Sequence, residues 1–257
     1  MSCKFCYATY NSFGVGKQLP LEHAQLILTK LKFAGLEKVT FAGGEPMLYK
    51  DLDKLIIFAK KIGLTTSIIT NGSLITDKWL QKMRLWLDWI GISIDSINPQ
   101  INDLIGRTSK GLVIDYYGLI NLINKYQYKL KINTVVNRFN EYEDDMHNFI
   151  EWSGTTRWKV FDTLHVEGQN EDQFNKIKSS NFSGYVLNNA HKAMVVEDNN
   201  LMSASYLLID PLGRFYENWG SDNKKSDTLY NHTVDHCLSQ ISLNREKFLK
   251  RGGIYKW

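Results

Sequence analysis

Lys38-Val39-Thr40-Phe41-Ala42-Gly43-Gly44-Glu45-Pro46 decides the fold. The mostly apolar run reads as a short buried strand, and Gly-Gly-Glu-Pro stops it in a turn. Helical patterns flank it. Upstream, Leu21, Ala24, Ile27, Leu28, Leu31 and Ala34 recur at helical spacing behind Pro20, and Gly35 ends the run. Downstream, a second helix covers about Asp51 to Lys61 and stops at Gly63. The unit then repeats. Strands are expected over Thr65–Thr70, Trp89–Asp95, Lys129–Val136 and Trp158–Val166, with helices over Thr76–Leu87, Leu112–Tyr126 and Tyr142–Trp152. Alternation of nearly apolar strands with amphipathic helices is the pattern of an α/β protein with a parallel sheet covered by helices.

In such folds the site lies where the strands end. The residues with chemical capability sit there: Gly43-Gly44-Glu45-Pro46, the Asn71-Gly72-Ser73 turn, Asp95 and Asn137. Past Gly168 the periodicity weakens, and Asn170 to Asn199 is expected to hold one helix and polar loops. Ser205–Asp210 and Gly213–Tyr216 read as a hairpin around Asp210-Pro211-Leu212-Gly213. Ser221 to Asp227 reads as a loop. A last helix near Ser239 to Leu249 leads into Lys250-Arg251-Gly252-Gly253, a tail expected to fold over the pocket with Tyr255 and Trp257.

Composition excludes more than it selects. Of 257 residues, 43% are apolar and 23% charged, ordinary values for a soluble globular protein. The net charge of +4 is too mild to argue for nucleic acid. No apolar run approaches the roughly 18 residues of a membrane span. Two of the three cysteines lie in Cys3-Lys4-Phe5-Cys6, so there is no disulfide framework and a reducing cytosol is expected. Cys237 stands alone and reads as a buried structural thiol. The Cys3–Cys6 pair, followed at once by Tyr7, fits half a zinc site, a dithiol pair or part of an iron–sulfur site. Spacing alone leaves all three open.

The cysteine pair with its aromatic neighbour, the Gly-Gly-Glu-Pro turn after the next strand and the run of βα units together resemble the radical S-adenosylmethionine enzymes. Those enzymes hold three irons of a 4Fe–4S cluster through CxxxCxxC and bind S-adenosylmethionine at the fourth. The resemblance implies a partial (βα)6 radical-SAM barrel in residues 1–168 and a C-terminal extension closing the pocket in residues 169–257. It implies Cys3 and Cys6 as metal ligands, the backbone of Tyr7 at the adenine, and Gly43, Gly44 and Glu45 at the cofactor amino group. Asn71, Ser73, Ser93 and Asp95 would line its ribose and methionine side. The first cysteine of the motif would fall two positions before Met1. Met1 is therefore expected to be an internal methionine, with the first strand and first cysteine preceding it.

Further stretches narrow the match. Ile105-Gly106-Arg107, Lys131 to Asn140, Arg157 to Phe161, Val166-Glu167-Gly168, Ser205 to Asp210 and Phe248 to Tyr255 resemble the viperin family, in the same order along the chain. Viperins convert a ribonucleoside triphosphate to its 3′-deoxy-3′,4′-didehydro form, a terminator of viral RNA synthesis. The resemblance implies substrate contacts at Lys38, Arg107, Lys131, Asn133, Arg157 and Lys159, with Tyr206 at the nucleobase or the radical step. These residue types suit a triphosphate, because charge-assisted hydrogen bonds to phosphate contribute roughly 1.5–3 kcal/mol each. Lys131 with Asn133, and Arg157 with Lys159, are two apart on strands, so each pair shares a face. Charged side chains inside a barrel are costly unless paired.

The implied cofactors are a 4Fe–4S cluster and S-adenosylmethionine. The implied partners are a nucleoside triphosphate (CTP, UTP or GTP) and an electron donor such as flavodoxin or ferredoxin. The protein is expected to be a cytoplasmic monomer without nucleic acid or a membrane segment. Two alternatives stay open: an inactive nucleotide-binding protein that has lost the cluster, and a radical-SAM enzyme acting on another substrate.

Overall fold

The computed structural model describes residues 1, 3–6, 18–109, 111–165, 170–217 and 224–255. Six strands form one sheet in chain order: β1 Lys38–Phe41, β2 Thr65–Thr70, β3 Trp89–Ser93, β4 Lys129–Val136, β5 Arg157–Asp162 and β6 Met194–Glu197. Every neighbouring pair is parallel. Among the described residues β1 and β6 do not pair with each other, so the barrel is partial and open.

Alternation across the strands gives the sheet two unlike faces. Ile68 and Thr70, Ile90 and Ile92, Leu130 and Ile132, and Trp158 and Val160 point to the outer face and are buried. Helices α2 Leu52–Lys61, α3 Asp77–Met83, α5 Tyr116–Lys125 and α6 Met146–Ser153 cover that face with Ile56, Met83, Ile120, Ile123, Phe149 and Ile150. The N-terminal helix α1 Leu21–Phe33 packs partly on α2 through Leu28, Leu55 and Ala59. A shorter helix, α4 Pro99–Leu104, follows β3 and is capped by Asn98. The inner face is different. Register aligns Ile69, Gly91, Lys131 and Arg157 in one row, Ser93, Asn133, Lys159 and Val195 in the next, and Val135, Phe161 and Glu197 in a third. An apolar outside and a cationic inside thus belong to the same strands.

Several element limits differ from the sequence expectation, each for a local reason. The helix expected from Leu112 starts at Tyr116, where Asp115 caps it by accepting from Gly118 N. Leu112–Val113 instead pairs with Thr108–Ser109 across a turn holding Gly111 at φ +77°. β5 ends at Asp162 rather than Val166. The stretch Asn170 to Asn199 holds two helices, Glu171–Ile177 and Phe182–Asn188, and then β6, which no sequence signal had singled out. The hairpin is present as Leu208–Ile209 against Arg214–Tyr216, and the expected loop before Asp227 supplies its third strand, Lys225–Thr228. The single last helix is two, Val234–Leu238 and Arg245–Lys250, because Thr233 and Asn244 each cap a new start. Cys237 is fully buried, as expected.

Gly72 ends the turn after β2 at φ +86°, and a Cβ there would lie 2.5 Å from Leu119 Cδ2. Left-handed backbone and overpacking both oppose a side chain. Gly72→Ala should therefore lose about 1–3 kcal/mol in urea unfolding; a loss below about 0.5 kcal/mol would contradict the tight turn described here.

Candidate active site: a cationic sheet face beside a cysteine loop

At the C-terminal ends of the strands, Glu45 staples β1 to β2. Its Oε1 accepts from Thr70 Oγ1 at 2.7 Å and from Met47 N at 3.2 Å, and its Oε2 accepts from Asn71 N at 2.9 Å. Asn71 Oδ1 accepts from Ser73 N at 2.8 Å and closes the next turn. Gly43 and Gly44 are exposed, with open space where a Cβ would stand, so bare backbone is available to a ligand there. Ser93 is half-buried at the end of β3.

Two residues on, fully buried Asp95 accepts from Val135 N at 2.8 Å and binds Arg107 Nε through its other oxygen. The Arg107 guanidinium lies 5.4 Å from the Phe5 ring centroid. Phe5 packs with Ile105 and Ile177, and Lys4 N donates to Ile105 O at 3.0 Å. Cys6 N donates to Cys3 O at 3.1 Å, so both thiols come from one turn anchored beside Arg107. Burial pushes the Cys3 thiol up, while Arg107 opposes that shift. Nearby, burial raises the Glu143 carboxyl to about 7 despite a 2.5 Å hydrogen bond from Ser96 Oγ.

The inner face carries the second half of the site. Lys159 Nζ binds Glu197 Oε1 and donates to Tyr206 OH at 3.1 Å, and Tyr206 OH in turn donates to Glu197 Oε2. The Arg251 guanidinium lies 3.7 Å from the Tyr206 ring centroid and 3.8 Å from Glu197, and it donates to Ser205 O. Arg157 NH2 donates to Gly252 O at 2.6 Å, and its guanidinium lies 3.8 Å from the Tyr255 ring centroid. Tyr255 also contacts Trp89 edge-on and meets Lys38 Nζ through its hydroxyl. The tail thus covers the ends where β1, β3 and β5 begin.

Lys131 differs from its neighbours. Among the described residues it makes no hydrogen bond or ion pair, and it faces Lys159, Lys38 and Arg157. Burial first, and those three cations next, push its ammonium well below the usual lysine range. Lys38 is lowered to about 8 by burial, with Arg157 adding to the shift. Lys159 is lowered to about 8 by burial against the pull of Glu197. Arg157 Nε and Asn133 Oδ1 are buried without partners. The unpaired Arg157 Nε donor among these cations suits an anion, whereas Asn133 Oδ1, an acceptor, suits a donor.

The structure brings Lys38, Lys131, Asn133, Arg157, Lys159 and Tyr206 to this face and sets Arg107 apart, at Asp95 and the cysteine loop. Tyr7 lies outside the described residues. Sequence reading did not pick out Glu197, nor assign Arg251 and Tyr255 a partner. The available signal for Glu197 was its place two residues after Val195, the same one-face spacing as Arg157 and Lys159.

The donor set fits the resembled cofactors in part. One turn offers two thiols, and the glycine backbone and Asp95 stand at the same ends of the strands. Cys237 sits in a separate core with Phe215 and Val234 and is no third ligand. A profile of the radical SAM superfamily matches residues 1–153.

The chain belongs to that superfamily.

An S-adenosylmethionine-dependent nucleotide dehydratase of Lacinutrix mariniflava is 40% identical over all of this chain and 56% of its own length. One from Flammeovirga pacifica is 37% identical over all of this chain and 92% of its own length, which places this chain in the nucleotide dehydratase family. Relative to the first, the chain spans about half the protein. The fold matches that of anSMEcpe solved with bound AdoMet, at TM-score 0.67 and 15% identity, covering 96% of this chain and 78% of that one. Membership of the radical SAM superfamily sets the cofactors as S-adenosylmethionine and a 4Fe–4S cluster.

Glu197 neutralises Lys159 inside the protein, and breaking such a pair strands a buried charge. Glu197→Gln should cost about 3–5 kcal/mol of unfolding free energy. A loss under about 1 kcal/mol in urea unfolding would show that Glu197 does not hold this cluster.

Proposed function

We propose that this chain forms the catalytic site of a radical-SAM dehydratase that converts a ribonucleoside triphosphate (CTP, UTP or GTP) to its 3′-deoxy-3′,4′-didehydro form, in antiviral defence. The observation that carries the reading is the half-buried Lys131, which makes no hydrogen bond or ion pair among the described residues and faces Lys38, Arg157 and Lys159. In this reading the triphosphate takes those four cations and Asn133, replacing repulsion with charge-assisted hydrogen bonds. Arg107, fixed by Asp95 next to the cysteine loop, serves the end of the substrate nearest the cofactor.

When bound, the cluster and S-adenosylmethionine supply a 5′-deoxyadenosyl radical. Cys3 and Cys6 hold the cluster; Tyr7, Gly43, Gly44, Glu45, Asn71, Ser73, Ser93 and Asp95 hold the cofactor. Removal of one hydrogen atom at C4′, uptake of one electron and one proton, and loss of the 3′-hydroxyl as water give the product. Tyr206 acts at the radical step, where its phenol has a proton acceptor already in place in Glu197. The residues of the C-terminal extension, 169–257, close the pocket and keep water from the radical: β6 within it joins the sheet, and Arg251 and Tyr255 pack on the inner face. An electron donor of the flavodoxin or ferredoxin type reduces the cluster, and the protein works as a cytoplasmic monomer. Among the described residues no helix is long and apolar enough to cross a membrane.

The complete protein, its cluster reconstituted anaerobically, should form 5′-deoxyadenosine from S-adenosylmethionine and dithionite only when a nucleoside triphosphate is added. Equal turnover with and without each of the four triphosphates would overturn the substrate assignment.

A further inference from the structure

Asp227, His232 and His236 lie outside the site described above, on the small C-terminal sheet, the loop after it and the helix that follows. Their ligating atoms all lie within 4.8 Å of one another. Three features bring them together. Thr233 caps the helix Val234–Leu238 by accepting from His236 N, which sets His232 and His236 four residues apart across its first turn. The two imidazoles stack with centroids 5.0 Å apart and planes inclined by 22°. Lys30 of α1 donates to the backbone oxygens of Leu229, Tyr230 and His232 at 2.8, 3.2 and 3.0 Å, which pins the loop carrying His232.

Asp227 is held as firmly. Its N donates to Gln240 Oε1 at 2.7 Å, and its Oδ2 accepts from Gln240 Nε2 at 2.9 Å. The same Oδ2 lies 2.9 Å from His236 Nε2. As an ion pair, this contact is half exposed, at 47% and 49% for the two side chains, and contributes little. The ion pair does not include His232, whose Nδ1 lies 3.3 Å from Thr228 O and whose Nε2 is left for a ligand. Two stacked imidazoles repel when both are protonated, whereas neutral rings facing a carboxylate make a two-nitrogen, one-oxygen donor set.

We propose that Asp227, His232 and His236 form a binding site for a divalent transition cation of the zinc class, separate from the cysteine loop. Imidazole donors select zinc, nickel, cobalt or copper over magnesium and calcium, which take oxygen. Zinc ligands stand about 2.0–2.2 Å from the ion. Small side-chain rotations close the present triangle onto such a centre, and water completes the coordination on the exposed side. The bound ion ties the strand Lys225–Thr228 to the helix Val234–Leu238, directly over the buried Cys237, whose Sγ lies 3.3 Å from Asp227 O.

The full chain carrying Cys3→Ser and Cys6→Ser, which removes competing thiolates, should bind one equivalent of zinc by calorimetry. His232→Asn and His236→Gln should each weaken binding by at least about tenfold, since even outer-shell losses cost that much. Zinc should raise the thermal midpoint of the parent, and not of the His236→Gln protein. Without metal the midpoints should agree, because both histidines are exposed. Absence of saturable zinc binding, or binding unchanged by both histidine substitutions, would overturn the site.

Discussion

Lys131 and Arg157 stand side by side on neighbouring parallel strands, pointing to the same inner face. Parallel strands run about 4.8 Å apart, and like charges in that position destabilise a sheet. Burial adds to the cost. The arrangement persists because the outer face of the same strands is locked into an apolar core running from Ile56 to Trp158. Glu197 relieves Lys159, and Gly252 with Tyr255 relieves Arg157. Lys131 makes no hydrogen bond or ion pair among the described residues, and Glu197 offsets its like-charged neighbours only in part. In the proposed function a bound anion relieves the repulsion along this face, exchanging stability for binding.

The strands also separate two chemistries along their length. Their C-terminal ends carry Glu45, Asn71, Asp95 and the cysteine turn, joined by hydrogen bonds that tie β1 to β2 and β3 to β4. Their beginnings carry Lys38, Trp89 and Arg157, closed by Tyr255. Lys131 shares the row of Arg157, and Asn133 and Lys159 occupy the middle. A ligand reaching from the cysteine turn to the tail crosses all three zones, so position along the strands sorts the residues by role. Arg107 belongs to the first zone through Asp95, whatever its sequence distance from the loop at Cys3.

Much of this was legible in the chain. Strong β-branched runs such as Thr65–Thr70 and Lys129–Val136 announced their strands, and two-residue spacing put Lys131 with Asn133 and Arg157 with Lys159 on shared faces. β6 escaped because Met194–Glu197 is four residues long and follows polar loops, so its pairing with β5 is a tertiary fact. Glu197 escaped with it. The helix ends depended on caps at Asp115, Thr233 and Asn244 that compete with continuing periodicity. The association of Arg107 with Asp95 spans a helix, and the contact of Tyr255 with three strand starts joins residues far apart in sequence, so no local pattern encodes either.

In the proposed function, Lys131 stays half-buried and without an anionic partner so that a triphosphate can bind it. Lys131→Met keeps the volume and removes the charge, so calorimetry with CTP and thermal unfolding of the same protein separate the two consequences. CTP affinity should fall by at least about tenfold, the loss of one charge-assisted hydrogen bond, while the unfolding midpoint holds or rises. Unchanged CTP affinity, or a substituted protein that is markedly less stable, would contradict it.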